Sequence, residues 1–120
     1  MMEKQIEIGI GDPVATARGF IDAWKRVGIG EEREASHRLH FENLEILLKT
    51  LTSTRWFLLK RLRAMGAVSI RALARDLGRD YKNVHTDVKR LQNAGLIETT
   101  ETSKIEVSWD ILEARLELAA

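Results

Sequence analysis

The stretch SIRALARDLGRDYKNVHTDVKRLQNAGLIE (69–98) decides the fold of this 120-residue chain. Apolar residues recur at helical spacing on both sides of Gly78, and the stretch closes on a glycine followed by an apolar pair. Ser69 and Asp80 are typical N-cap residues, whereas Gly78 and Gly95 are typical helix stops. The pattern therefore predicts two helices joined by a tight turn, one beginning after Ser69 and one after Asp80.

The spacing of three residues in this stretch is that of a helix-turn-helix motif. Such a motif needs a small residue in the first helix and a glycine in the turn, where a β-carbon would resist the backbone conformation. It also needs an aliphatic residue in the second helix that fills the gap between the two. Ala74, Gly78 and Val84 stand at the required spacing, four and then six residues apart, and Val88 and Leu91 continue the inward stripe.

The flanking sequence predicts one more helix and a β-hairpin. Ser53 or Thr54 is expected to cap a helix that runs to about Met65, and Gly66 stops it. LIETTETSKIEVSW (96–109) consists of two alternating runs around a polar tip, the pattern of a hairpin. The expected fold class is α+β and mostly helical, a winged helix-turn-helix core with a short N-terminal strand–helix extension.

The termini carry weaker patterns. QIEIG (5–9) predicts a strand, Asp12 and Pro13 begin a helix that GIG (28–30) ends, and Leu44 begins a short amphipathic helix. GEEREASHR (30–38) is expected to be a charged loop, RLHF (38–41) a short strand or extended piece, and LEARLEL (112–118) a strand rather than a helix. The predicted domains are an extension (1–42), a winged helix-turn-helix domain (43–109) and a C-terminal strand or tail (110–120).

A helical wheel separates the two faces of the helix that follows Asp80. With Val84 at zero and about 100° per residue, Val88 and Leu91 fall within about 40° of it and form the buried face. Lysine, asparagine, histidine and threonine side chains occupy the rest, and these are donors and acceptors that read base edges in the major groove. The candidate DNA-contacting residues are Tyr81, Lys82, Asn83, His85, Thr86, Lys89 and Arg90, with Ser69 and the hairpin residue Lys104; Asn93 also points outward. Tyr81 is expected at the edge of the core, where its ring can pack inward while its hydroxyl reaches a phosphate.

Charge is distributed in a way that suits nucleic acid. The segment from Arg55 to Arg90 holds ten positive and three negative residues, a net charge of +7, whereas the whole chain is only +1. A basic middle with acidic flanks is the footprint of a nucleic-acid surface, although an ordinary solvated helical face is the plainer alternative.

Several classes of protein are disfavoured. There is no cysteine, which excludes disulfides and thiol-based metal or redox sensing and fits the reducing cytoplasm. The first twelve residues lack the apolar run of a signal peptide or membrane span. His37 and His40 sit at an odd offset in an extended segment, so a metal site there is not expected. No catalytic order of residues and no phosphate loop is present, so we expect neither an enzyme nor a cofactor.

Aromatic residues outside the motif have simpler expectations. Trp24, Trp56 and Trp109 are predicted to lie in the core. Phe57 lies off the apolar stripe of its helix and needs another partner, either the N-terminal segment or a second subunit. Phe57, together with edge-like strands at both termini, favours a homodimer.

The 69–98 stretch resembles the winged-helix transcriptional regulators of the MarR/ArsR type. It is most similar to a group of small prokaryotic regulators marked by GRDYKNVH (78–85) and GLIE (95–98). That resemblance implies DNA reading by Tyr81, Lys82, Asn83, His85, Thr86 and Lys89. Members of the group resemble DNA-binding antitoxins, which implies repression of an operon and neutralisation of a toxin partner. The chain departs from the pattern at the wing, where ETTETSK (98–104) offers a single cation, Lys104.

The sequence thus predicts a cytoplasmic, homodimeric repressor that acts by occupying double-stranded operator DNA. Two alternatives stay open. One is an antitoxin that binds DNA and a cognate toxin protein. The other is a winged helix that binds protein and no DNA, since this geometry also serves protein interaction alone.

Overall fold

The computed structural model describes residues 3–11 and 33–116, and it divides into two compact units. One unit comprises the described residues within 1–47 and 109–120, and the other is Leu48–Ser108. The helix expected after Asp12, Trp24 within it, and residues 117–120 lie outside the described residues. The predicted domain boundaries stay predictions.

Within these residues the chain forms four helices and five strands, an α+β architecture. In chain order the elements are β1 (Glu3–Ile10), β2 (Arg33–Phe41), α1 (Leu44–Thr50), α2 (Ser53–Met65), α3 (Ile70–Leu77), α4 (Tyr81–Asn93), β3 (Glu98–Thr99), β4 (Ile105–Glu106) and β5 (Ile111–Ala114). None of the helices in this described part of the chain is long and apolar enough to cross a membrane.

Strand β1 is the centre of a three-stranded parallel sheet with the order β2-β1-β5. The predicted N-terminal strand is therefore confirmed, but the expectation that it is an edge is wrong. Because β1 has a neighbour on each side, its residues 5–9 are all buried, including Gln5 and Glu7. Gln5 Nε2 donates to Glu113 Oε2 on β5 over 2.9 Å, which compensates part of the cost of burying these polar groups.

Strands β2 and β5 differ in how well the sequence predicts them. The charged loop expected over 30–38 is wrong from Arg33 onward, because β2 begins there and its backbone pairs with β1 in parallel register. Main-chain pairing does not require the apolar alternation that the sequence lacks at this point. The preference for a strand near the C-terminus is right over Leu112–Ala114, which pairs with β1.

Helix α2 carries the predicted apolar stripe but begins one residue earlier than expected. The N-cap is Thr52, whose hydroxyl accepts from the Arg55 amide over 3.3 Å, and not Ser53 or Thr54. Its buried residues are Leu58, Leu59 and Leu62. Gly66 ends the helix with a φ of 83°.

Helices α3 and α4 are joined by the tight turn that the sequence predicts. The Ser69 hydroxyl accepts from the Ala72 amide, and the Asp80 carboxylate accepts from the Asn83 amide, so both predicted N-caps are confirmed. Gly78 adopts φ 64° and ψ 31°, the left-handed region. A β-carbon built there would meet no atom within 4 Å, so the glycine is favoured for its backbone conformation and not for lack of space.

The predicted hairpin follows α4. β3 and β4 pair antiparallel, and the Thr100 hydroxyl accepts from the Lys104 amide at the tip. Val68, in the connection between α2 and α3, exchanges two main-chain hydrogen bonds with Ile105 of β4. These bonds tie the hairpin to the helices of the same unit.

Candidate nucleic-acid interface

Helix α4 has one fully buried face and one solvated face, as the wheel predicts. Val84, Val88 and Leu91 are completely buried. The exposed residues are Tyr81, Lys82, Asn83, Thr86, Lys89, Arg90 and Asn93, while His85 is half-buried on the flank. The structure therefore brings together seven of the nine candidate DNA-contacting residues on one helix.

Most polar side chains on this exposed face have no side-chain partner among the described residues. This holds for Lys82, Lys89 and Arg90, whose cationic heads stay in solvent. The Thr86 hydroxyl donates to the main-chain carbonyl of Lys82 over 3.1 Å, and Tyr81 has a ring contact with Arg71. Solvated donors with no internal partner are available to an external acceptor such as a base edge or a phosphate.

Tyr81 is 40% exposed, and its ring contacts one side chain on α3 and another on α4. The Arg71 guanidinium carbon lies 4.6 Å from the centre of the Tyr81 ring, and the His85 ring centre lies 5.8 Å away. The ring is thus the platform of an exposed aromatic–cation cluster. Sequence analysis missed Arg71, because a contact between two helices has no signature in either helix alone.

A second cluster that the sequence did not indicate fixes α4 from its half-buried side. The Asp87 carboxylate accepts from Arg55 over 3.0 Å and from Arg79 over 2.8 Å. Arg55 also donates to the main-chain carbonyls of Lys49 and Thr50. The one signal in the sequence was an acidic residue within a strongly basic helix.

A third ion pair removes one of the cations that the charge count assigned to the surface. Arg61 on α2 makes two hydrogen bonds to the Asp76 carboxylate of α3, one of them 2.9 Å long. The hydrogen bond from Arg61 holds the pKa of Asp76 below its ordinary value of 3.8. The Arg61 side chain is therefore paired within the protein, whereas Lys60 and Arg75 are exposed and make no side-chain hydrogen bond or ion pair in the part of the chain that the structure describes.

The two candidate residues outside α4 occupy different settings. Ser69 is exposed, but its hydroxyl is engaged as the cap of α3. Lys104 is exposed beside the hairpin tip, and Glu98 and Glu101 are exposed in the same hairpin. Gly95, with a φ of 89°, follows the end of α4 and turns the chain toward the hairpin.

The second unit also contains a pocket. A pocket of about 290 Å³ is lined by Ser53, Thr54, Phe57, Leu77 and Arg79, without a nucleophile–base pair. No group of three or more potential metal ligands occurs among residues 3–11 and 33–116.

The tryptophans divide between core and surface. Trp109 is buried as predicted, but the prediction for Trp56 is wrong, because that residue is 43% exposed next to Phe57, which is 63% exposed.

The fold and this surface define an α+β chain in which a basic, solvated helix belongs to a helix–turn–helix–hairpin unit. The family model HVO_A0114 matches residues 50–114, which is more than half of the chain. The chain therefore belongs to the HVO_A0114 family. Comparison with curated proteins and with solved structures finds no match.

Proposed function

We propose that the protein is a sequence-specific DNA-binding transcriptional regulator of the winged helix-turn-helix class, with α4 as its recognition helix. The observation that carries this proposal is the division of α4 into a buried aliphatic stripe and an exposed face of Lys82, Asn83, Thr86 and Lys89. The N-terminal half of a recognition helix contacts base edges, and amide, hydroxyl and ammonium groups suit that task.

The connectivity of the second unit supports the same proposal. Three helices are followed by an antiparallel hairpin, and the left-handed Gly78 sets the angle between the last two helices. In this interpretation α3 crosses the DNA backbone, α4 enters the major groove and the hairpin is the wing. The wing contributes little charge, because its single cation, Lys104, lies beside two glutamates.

The proposed mechanism is occupancy of an operator in the cytoplasm. A two-fold homodimer would place two copies of α4 in successive major grooves of an inverted repeat and block transcription there. The resemblance to MarR/ArsR-type regulators is part of this proposal, but thiol-based metal sensing is not, since the chain contains no cysteine.

A protein-binding role is the second candidate, and one observation favours it. Trp56 and Phe57 are adjacent and exposed on α2, and large apolar side chains exposed together mark interaction sites. The partner would be a toxin in the antitoxin version, which is compatible with DNA binding. In the other version the protein binds only protein.

Fluorescence anisotropy with the protein's own upstream region and a scrambled duplex tests the proposal. Lys82→Ala should cost about 1–3 kcal/mol on the cognate duplex and much less on the scrambled one, because a base contact carries sequence information. Lys60→Ala is the matched control: it removes the same charge from an exposed position on α2, and should affect both duplexes alike, if at all. Parallel losses for Lys82→Ala would remove it as a base contact. Absence of binding to either duplex would leave the protein-binding candidate.

A further inference from the structure

The contact between Arg71 and Tyr81 joins the first turns of α3 and α4. Arg71 is the second residue of α3, and Tyr81 is the first residue of α4. Both side chains are exposed, and the guanidinium carbon lies 4.6 Å from the ring centre. This distance is within the range in which an arginine is attracted to the face of an aromatic ring.

The contact orients the guanidinium without using its hydrogen-bond donors. A guanidinium carries five N–H donors around its edge, and attraction to a ring face does not consume them. Among residues 3–11 and 33–116, the Arg71 side chain makes no hydrogen bond or ion pair. This differs from Arg55, Arg61 and Arg79, whose guanidinium groups bind carboxylates of the same unit.

The ligand that fits such a group is a planar or tetrahedral oxyanion. Guanidinium binds phosphate with two parallel N–H···O bonds, and a lysine at the same place offers only a point charge. Lys82, exposed directly after Tyr81 in the chain, adds positive charge next to this contact. Two acids are near in the sequence: Asp76 is bound by Arg61, and one oxygen of Asp80 accepts from the Asn83 amide.

We propose that Arg71, oriented by the ring of Tyr81, binds a backbone phosphate of the DNA, and that Tyr81 acts as a positioning residue through its ring and not its hydroxyl. The inference rests on the proposed function, in which α3 crosses the DNA backbone while the start of α4 enters the groove. It replaces the phosphate contact that the sequence assigned to the Tyr81 hydroxyl.

The test uses the full chain, a fluorescein-labelled duplex of its upstream region and a scrambled duplex, each across a salt series. Tyr81→Phe keeps the ring and should stay within about twofold of the parent protein on both duplexes. Tyr81→Leu and Arg71→Lys should each weaken both duplexes roughly 3- to 10-fold. The double variant Tyr81→Leu/Arg71→Lys should lose little more affinity than either single variant, because each substitution removes the same oriented contact. Arg71→Ala should also lower the salt slope by about one unit.

Arg75→Lys is the matched control, because Arg75 is an exposed arginine of the same helix with no described ring contact, and it should leave both affinities unchanged. Tyr81 is the only tyrosine, so the NMR chemical shifts of its ring provide a readout that needs no DNA. These shifts should change in Arg71→Lys and stay the same in Arg75→Lys.

Equal losses of affinity in Tyr81→Phe and Tyr81→Leu would overturn the inference, because they would make the hydroxyl the contact. Parent-like binding by Arg71→Lys, or a loss confined to the cognate duplex, would also overturn it. If the parent protein binds neither duplex, the proposed function itself fails, and that result is seen before any variant is made.

Discussion

The packing of α4 depends directly on Val84, which is completely buried and is the first residue of the inward stripe. Val84→Asp would place a carboxylate there with no described partner. We expect a loss of several kcal/mol, a large part of the stability of a domain this size. Circular dichroism during thermal melting measures it. Asn83→Asp adds the same carboxylate at the exposed neighbouring position and should change stability by about 0.5 kcal/mol or less. A Val84→Asp variant that melts like the parent would rule out this packing.

Asp76 makes stability depend on acid pH through its bonds from Arg61. Because the pKa of Asp76 is lowered in the folded state, its contribution is present above the unfolded value of 3.8 and disappears as the pH falls through the lower folded value. Asp76→Asn should therefore lower the urea midpoint at neutral pH and have no effect once the pH is well below the lowered folded pKa. In an Arg61→Gln background the same substitution should have little effect at either pH. A pH-independent difference would argue against the ion pair.

At the scale of elements, Asp87 connects α4 to α2 and to the turn before α4. It accepts from Arg55 and Arg79, and Arg55 in turn donates to the carbonyls at the end of α1. Asp87→Asn would leave both guanidinium groups partly buried without a counter-charge, and we expect a cost of about 1–3 kcal/mol. Urea unfolding at neutral pH measures the change. Glu101→Gln, the same loss of one negative charge at the exposed hairpin tip, should be nearly neutral, and equal effects of the two variants would contradict this role.

Local chemistry explains which elements the sequence could predict. Ser69, Gly78 and Asp80 predict the ends of α3 and α4. Ser69 and Asp80 cap a helix with their own side chains, and Gly78 takes a left-handed conformation because it has no side chain. The start of α2 was misplaced by one residue because Thr52, Ser53 and Thr54 are all competent caps, and only the Arg55 amide distinguishes them.

Elements and contacts that depend on distant partners could not be predicted in the same way. The first half of β2 has no apolar alternation, and its conformation comes from pairing with β1. The stack of Arg71 on Tyr81 and the binding of Arg55 to Asp87 join residues on different helices. The face of α4 was predictable because one helical period determines it, whereas its supporting contacts required the tertiary structure.

At the scale of the whole molecule, internal ion pairs reduce the charge that the basic segment offers to a partner. Of its ten cations, Arg55 and Arg79 share Asp87, and Arg61 binds Asp76. The exposed cations of α3 and α4 carry no such partner among the described residues: Arg71, Arg75, Lys82, Lys89 and Arg90. Apart from Lys60 on α2, the exposed cations of this segment without a described partner thus lie on α3 and α4, a distribution that would steer the proposed recognition helix toward DNA.

The last prediction concerns assembly. A single recognition helix binds weakly and selects poorly, whereas a two-fold dimer reads two half-sites about 10 bp apart or a multiple of it. Phe57 is 63% exposed, and Leu116, which follows edge strand β5, is 52% exposed, so each offers apolar surface that a second copy could bury. We expect light scattering at tens of micromolar to give twice the monomer mass. If α2 forms the interface, Phe57→Ser should halve that mass and Leu116→Ser should leave it unchanged; an interface at β5 reverses the two results. A parent protein that stays monomeric at that concentration, with and without its operator, would exclude the homodimer.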